Sequence, residues 1–181
     1  AGRPPCAIIA RASAPTFDPA TLDAAWDELR EDPNAPLLNR ATQGLYQPGA
    51  ALETVVLAEA LERELLRPTD SVSATLTGTV SIDGLAVGCL ADPPAVGGVC
   101  AAYQAACPAP FADLGEMLGE DGVGAAIADW GLASQPPLEL ATESGMWSPG
   151  EDPALEAIGQ GSLTVSPLQM AMVVAGLANQ G

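Results

Sequence analysis

The side chains capable of chemistry emerge by elimination. Twenty-three Asp and Glu stand against six basic residues, and all six are arginine: Arg3, Arg11, Arg30, Arg40, Arg63 and Arg67. The chain has no lysine and no histidine. Arginine stays protonated in proteins and is a poor base. A Ser–Lys or Ser–His nucleophile therefore cannot be assembled from these residues. Carboxylate chemistry remains. Glu53 with Asp113 or Glu116 could form an acid–base pair, although nothing in their spacing selects them from 23 acidic residues. The four cysteines fit no close metal-ligand spacing, and no metal or cofactor is implied.

The elements that would position Glu53 are legible. Pro48-Gly49 is a turn signal. Beyond it, Leu52, Val55, Val56, Leu61 and Leu65 recur at a helical period, and Pro68 stops the helix. Ala50 and Glu53 share one face of its first turn. Glu59 and Arg63, four apart, pair on the wet face. Upstream, Cys6 to Ala12 has the length and apolarity of a strand. Asp18 caps a helix with Pro19 at its first position, and Leu22, Trp26 and Leu29 follow at helical spacing. Trp26 reads as core. Arg40 reads as a brace for the loop leading to Ala50. Alternation over Ser71–Thr77 and an Asp83-Gly84 turn between alternating segments predict a small hairpin over Val80–Val87. Cys100–Leu118 and Asp121–Leu132 read as helices. Ala133–Pro153 reads as a surface loop, in which Trp147 is the best exposed aromatic candidate for a ligand contact, although packing is the commoner role. Ser166 and Pro167 start a final helix, apolar on all sides and so expected to be buried, with Asn179 and Gly181 as its stop.

Two stretches are more specific than any periodicity. Asn39-Arg-Ala-Thr-Gln-Gly-Leu-Tyr-Gln-Pro-Gly-Ala-Ala-Leu-Glu53 closely resembles the nucleophile region of penicillin-binding proteins, the serine transpeptidases that cross-link peptidoglycan. Ala157-Ile-Gly-Gln-Gly-Ser-Leu-Thr-Val-Ser-Pro-Leu-Gln-Met170 resembles a second stretch of that family almost residue for residue. The family's lead-in is followed by Ser-x-x-Lys at a helix start. There the helix dipole favours the serine alkoxide, and the lysine one turn on can take its proton. Here those positions are Ala50 and Glu53. The family's Ser-x-Asn precedes an aromatic run matched by Phe111-Ala-Asp-Leu-Gly115, and it falls on Ala106-Cys107-Pro108. No Ser or Asn occurs from Val99 to Asp121, so a slipped alignment restores neither group.

The resemblance implies an α/β transpeptidase-like fold, largely helical here, with a small hairpin and an incomplete central antiparallel sheet. It implies one domain over residues 1–181, stopping before the family's Lys-Thr-Gly strand. The open sheet would want a partner, either an envelope protein or a further segment of the same protein; a weak contact with a peptidoglycan peptide or a homo-oligomer is compatible with it. It also implies that Ala50, Glu53, Ala106 and Pro108 occupy catalytic positions without catalytic groups. The protein would then be an inactive binding or scaffolding module of the bacterial envelope, outside the cytoplasm. Alternatively, activity resides elsewhere in a larger peptidoglycan enzyme, for example in an upstream glycosyltransferase domain. A carboxylate at 53 in place of an ammonium would reverse an interaction of about 1–4 kcal/mol at 4 Å with an anionic ligand.

Composition bounds the rest. A chain of 181 residues is about one domain. With 48% apolar but only 4% aromatic residues, its core must be mostly Ala, Leu and Val. A net charge of −17 disfavours nucleic acid and anionic lipid. No apolar run approaches the roughly 20 residues of a membrane span, and no signal peptide is visible, although the abrupt start suggests a portion of a longer protein. Cys89 and Cys100 flank a Pro/Gly-rich loop and could be bridged or free; Cys6 and Cys107 read as small buried residues. A bridge would suit an extracytoplasmic setting.

Overall fold

A computed structural model describes residues 7–71, 79–92 and 97–179. Asp18 caps a 3-10 turn, Pro19–Thr21, its carboxylate accepting from the Ala20 amide at 2.9 Å. Helix α1, Leu22–Glu31, follows. A second 3-10 turn, Gly49–Leu52, feeds α2, Glu53–Glu62. Strands β1, Thr79–Ile82, and β2, Leu85–Gly88, form an antiparallel hairpin with Ile82 opposite Leu85. Its turn needs positive φ at both central residues, and Asp83 (46°) and Gly84 (81°) supply it. Helix α3, Val99–Gln104, and α4, Pro108–Asp129, are followed by α5, Pro153–Ala157, and α6, Pro167–Ala178.

The core is built from Leu52, Val55 and Val56 around α2 and Phe111, Leu114, Val123 and Ile127 of α4, closed by Leu132 and Leu163. Helix α4 bends at Gly119 (φ 66°, ψ 177°), which divides its two apolar stretches. Close approach of α5 depends on Gly115: a Cβ there would stand 2.2 Å from the Pro153 carbonyl oxygen.

Helix α6 begins with a capping box. Ser166 Oγ accepts from the Gln169 amide, and the Gln169 side chain accepts from the Ser166 amide at 2.9 Å. The Gln169 Nε2 donates to the carbonyls of Leu132 and Ser134, which locks the helix start to the chain after α4. Ser166→Ala is expected to cost about 1–2 kcal/mol, measured by denaturant unfolding, because Ser166 is fully buried and its partners cannot turn to water.

Several expectations are corrected. Residues 7–12 form no strand, because no described segment pairs with them, and Ile9 is 75% exposed. Most of the alternating segment before the hairpin lies outside the described residues, as does Cys6. Trp26 is 48% exposed rather than core, and no residue of α1 is buried. Helix α6 buries only Gln169 and Val173 and leaves Val174 and Leu177 exposed. Uniform apolarity predicts burial only where a neighbour stands on every side. Glu59 is buried, so its ion pair with Arg63 lies at the edge of the core and not on the wet face.

Candidate functional site

The turn before α2 is held from two sides. Arg40 braces the lead-in, its guanidinium donating to the carbonyls of Ala35 and Asn34 and its amide to Ser13 Oγ. The turn itself rests on the Ile158-Gly-Gln-Gly161 stretch. The Gly49 amide donates to the Gly159 carbonyl at 3.1 Å. Gln47 Nε2 donates to the carbonyls of Gln160 and Gly161, 113 and 114 residues away in sequence. Gly159 has φ +67°, and a Cβ on it would meet the Gly49 oxygen and nitrogen at 2.4 and 2.5 Å. A Cβ on Gly161 would stand 2.3 Å from the Glu156 carboxylate. That carboxylate, itself buried, accepts from the amides of Ser162 and Leu163 and holds the stretch in shape. The two specific stretches of the sequence are therefore one structural unit.

Ala50 and Glu53 eclipse one another across the 3-10 turn, the Glu53 amide donating to the Ala50 carbonyl. Their environments differ sharply. Ala50 is exposed, whereas Glu53 is 1% exposed. Among the described residues the Glu53 carboxyl has no hydrogen bond or ion pair. Burial raises its pKa from 4.5 to about 8, because the ionised form would lose its water without gaining a partner. At neutral pH this group is a carboxylic acid. The expected negative charge at residue 53 is therefore corrected: desolvation suppresses it.

Next in the chain, Thr54 Oγ1 lies 2.7 Å from the Tyr103 hydroxyl, which joins α2 to α3. The Tyr103 ring leans on Phe111 with centroids 6.3 Å apart. This bridge was not foreseen, since nothing in the local pattern around Thr54 or Tyr103 names the other. Just past Tyr103, Ala106 sits at φ 46°, a left-handed conformation unusual for alanine, and Pro108 opens α4. Between them, Cys107 is disulfide-bonded to Cys89. This corrects the candidate Cys89–Cys100 bridge: Cys107 is buried against the end of β2, while Cys100 is exposed and free. The loop closed by the bond spans 18 residues, a stabilisation of about 3 kcal/mol in the chain-entropy model.

Asp113 and Glu116 are exposed on α4 and make no contact with the Glu53 carboxyl among the described hydrogen bonds and ion pairs. Trp147 is half-buried, its ring filling the space that a side chain on Gly124 would need, with 2.6 Å to a Cβ there. The pocket beside it, bounded by Glu120 and Glu151, is about 10 Å³, room for one water. Among the described residues no three His, Cys, Asp or Glu cluster to hold a metal, and no helix is long and apolar enough to cross a membrane.

Comparison with known proteins agrees with this architecture. The peptidoglycan D,D-transpeptidase PbpA of Mycolicibacterium smegmatis is 33% identical over 190 residues, covering 96% of this chain and 38% of that protein. Its counterpart from Mycobacterium tuberculosis is 30% identical over the same coverage. The chain thus spans well under half the length of these relatives. The crystal structure of the M. tuberculosis protein superposes with a TM-score of 0.78 at 25% identity, covering 93% of this chain and 43% of that one. A penicillin G acyl-enzyme complex of that protein matches with the same TM-score at 28% identity over 94% and 42%. The family described as penicillin binding protein transpeptidase domain matches residues 6–181, and the chain belongs to it.

Proposed function

We propose that this chain is a transpeptidase domain without transpeptidase chemistry, kept as a binding or scaffolding module in peptidoglycan synthesis, outside the cytoplasm in the bacterial envelope. The observation that carries the reading is the turn at residues 49–53. Its scaffold is intact down to the Gly49–Gly159 contact, yet it presents an alanine methyl and a buried neutral carboxyl. An alanine cannot be acylated, and a carboxylic acid that holds its own proton cannot draw one from a nucleophile. Ala106 and Pro108 offer no hydroxyl or amide side chain at the second position. In serine enzymes, loss of the nucleophile or its base costs on the order of a millionfold in rate, and further losses add little.

Intact mass after incubation with a reactive penicillin tests this. The expected result is an unchanged mass. A gain of one penicillin would refute the proposal, and the labelled peptide would identify the nucleophile.

A second reading has its own observation, the 38% share of PbpA that the chain spans. In it, the chain is part of a larger penicillin-binding protein whose activity lies outside residues 1–181. The same mass measurement on the full gene product would then show a label mapping beyond this chain.

A further inference from the structure

The Glu53 carboxyl is buried but not sealed. Among the described residues, the fully buried side-chain oxygens without a hydrogen bond are those of Asn39, Thr42 and Thr164. The Glu53 oxygens are not among them, although the carboxyl has no hydrogen bond or ion pair there. The little of this residue that solvent touches therefore includes the carboxyl oxygens. No described group is placed to use them. Every carboxylate of α4, the helix packed on α2, is exposed. Glu59, further along α2, is taken by Arg63, and the Tyr103 hydroxyl of α3 by Thr54. The Glu156 carboxylate, next to residues 158–161, is held by the Ser162 and Leu163 amides. Glu53 itself stands in the first turn of α2, where the positive end of the helix favours an ionised carboxyl, and desolvation is what opposes ionisation. A cation brought to the oxygens would offset that opposition, and the chain has no lysine to supply one. Ala50, exposed on the same face of the turn, leaves the approach clear and offers a methylene stem an apolar surface.

We propose that the turn at residues 50–53 is a binding site for a primary ammonium on an alkyl stem. On binding, the O–H bond of the carboxyl breaks, its proton passes to solvent, and the carboxylate accepts N–H bonds from the ammonium. An ammonium is a compact point charge and suits a narrow opening better than a planar guanidinium. An anion would meet repulsion from a group whose ionised form is negative, and a neutral carbonyl would leave the proton in place. The ammonium belongs to a free ligand or to a lysine of a further segment of the same protein, since the chain spans 38% of PbpA. The proposal rests on the reading of residues 49–53 as a binding module and names the chemistry of its ligand.

The probes are Nα-acetyl-lysine amide and, lacking the charge, Nα-acetyl-norleucine amide. The reporter is the carboxyl carbon of Glu53 in protein labelled with isotopic glutamate, followed by NMR at pH 7 and assigned by its absence from Glu53→Gln. In residues 1–181 alone the signal is expected at the position of an acid, because burial holds the pKa at about 8. The lysine probe is expected to move it saturably to the position of a carboxylate, and the norleucine probe not. Glu53→Gln is expected to bind the lysine probe about tenfold or more weakly. A carboxylate signal in the full gene product without a probe would place the ammonium on a further segment, and acetylating that protein's lysines, none of which lies in residues 1–181, should return it to the acid. A carboxylate signal that survives acetylation would overturn the proposal. So would an acid signal in both proteins that the lysine probe leaves unmoved, equal movement by the two probes, or a carboxylate signal in residues 1–181 alone. An unmoved signal with an unchanged mass after penicillin refutes this proposal and leaves the earlier reading standing; acylation refutes the earlier reading.

Discussion

Gly159→Ala is expected to destabilise the protein by about 2–4 kcal/mol or more, read as a lower urea midpoint of unfolding. Two costs add. Alanine at φ +67° is held in the left-handed region, on the order of 1 kcal/mol. Its Cβ would also stand 2.4 Å from the Gly49 oxygen and 2.5 Å from the Gly49 nitrogen. These are backbone atoms, so no rotamer change relieves the overlap. Either the turn before α2 moves or the Ile158–Gly161 stretch does, and each is tied down elsewhere by Gln47 and Glu156. Overpacking against fixed backbone costs a further 1–3 kcal/mol or more. Together this is a large part of the roughly 5–15 kcal/mol stability of a domain. Gly150→Ala is the control: φ there is also positive, at +96°, but nothing lies within 4 Å of the added carbon. Urea unfolding of the two variants separates conformational strain from collision. Equal losses would show that the Gly49–Gly159 contact does not hold the turn.

Glu53→Gln is expected to stabilise the protein at alkaline pH and to change little near pH 4. The sign follows from linkage. The folded state raises this carboxyl from 4.5 to about 8, so the native protein binds its proton more tightly than the unfolded chain does. Below pH 4.5 both states are protonated and burial carries no charge penalty. Between 4.5 and about 8 the unfolded state ionises while the folded one resists, and stability falls by roughly 1.4 kcal/mol per pH unit. Above pH 8 the loss is complete, several kcal/mol in all. Glutamine has nearly the shape of the protonated acid and never ionises, so this slope disappears. Repulsion from the net charge of −17 also grows with pH, but both proteins share it. The readout is therefore the difference between their melting temperatures at pH 4.5 and pH 9. Parallel curves would show that Glu53 reaches water or a cation in solution.

Turns and helix starts were legible in the sequence. Asp83-Gly84 selected a two-residue hairpin turn because few other pairs tolerate positive φ twice. Asp18-Pro19 and Ser166-Pro167 marked helix starts because free amides there need a side-chain acceptor. Arg40 was read as a loop brace, and it is one. The two specific stretches named the family, and the residues missing at 50, 53, 106 and 108 were plain in the sequence itself.

Tertiary structure decided everything that depends on a distant neighbour. Periodicity says that Trp26 belongs on an apolar face, but not that it stands 48% exposed among the described residues. It says that Met170–Ala178 is apolar, but not how many sides are packed. Cysteine spacing favoured Cys100 as the partner of Cys89, whereas the fold brings Cys107 there instead. Thr54 meets Tyr103 only because α2 and α3 converge. Most consequential is Glu53. Its sequence suggests a charge, and its burial, with no ion pair or hydrogen bond among the described residues, keeps it a neutral acid, because the cost of desolvation is set by surroundings that no short stretch of chain contains.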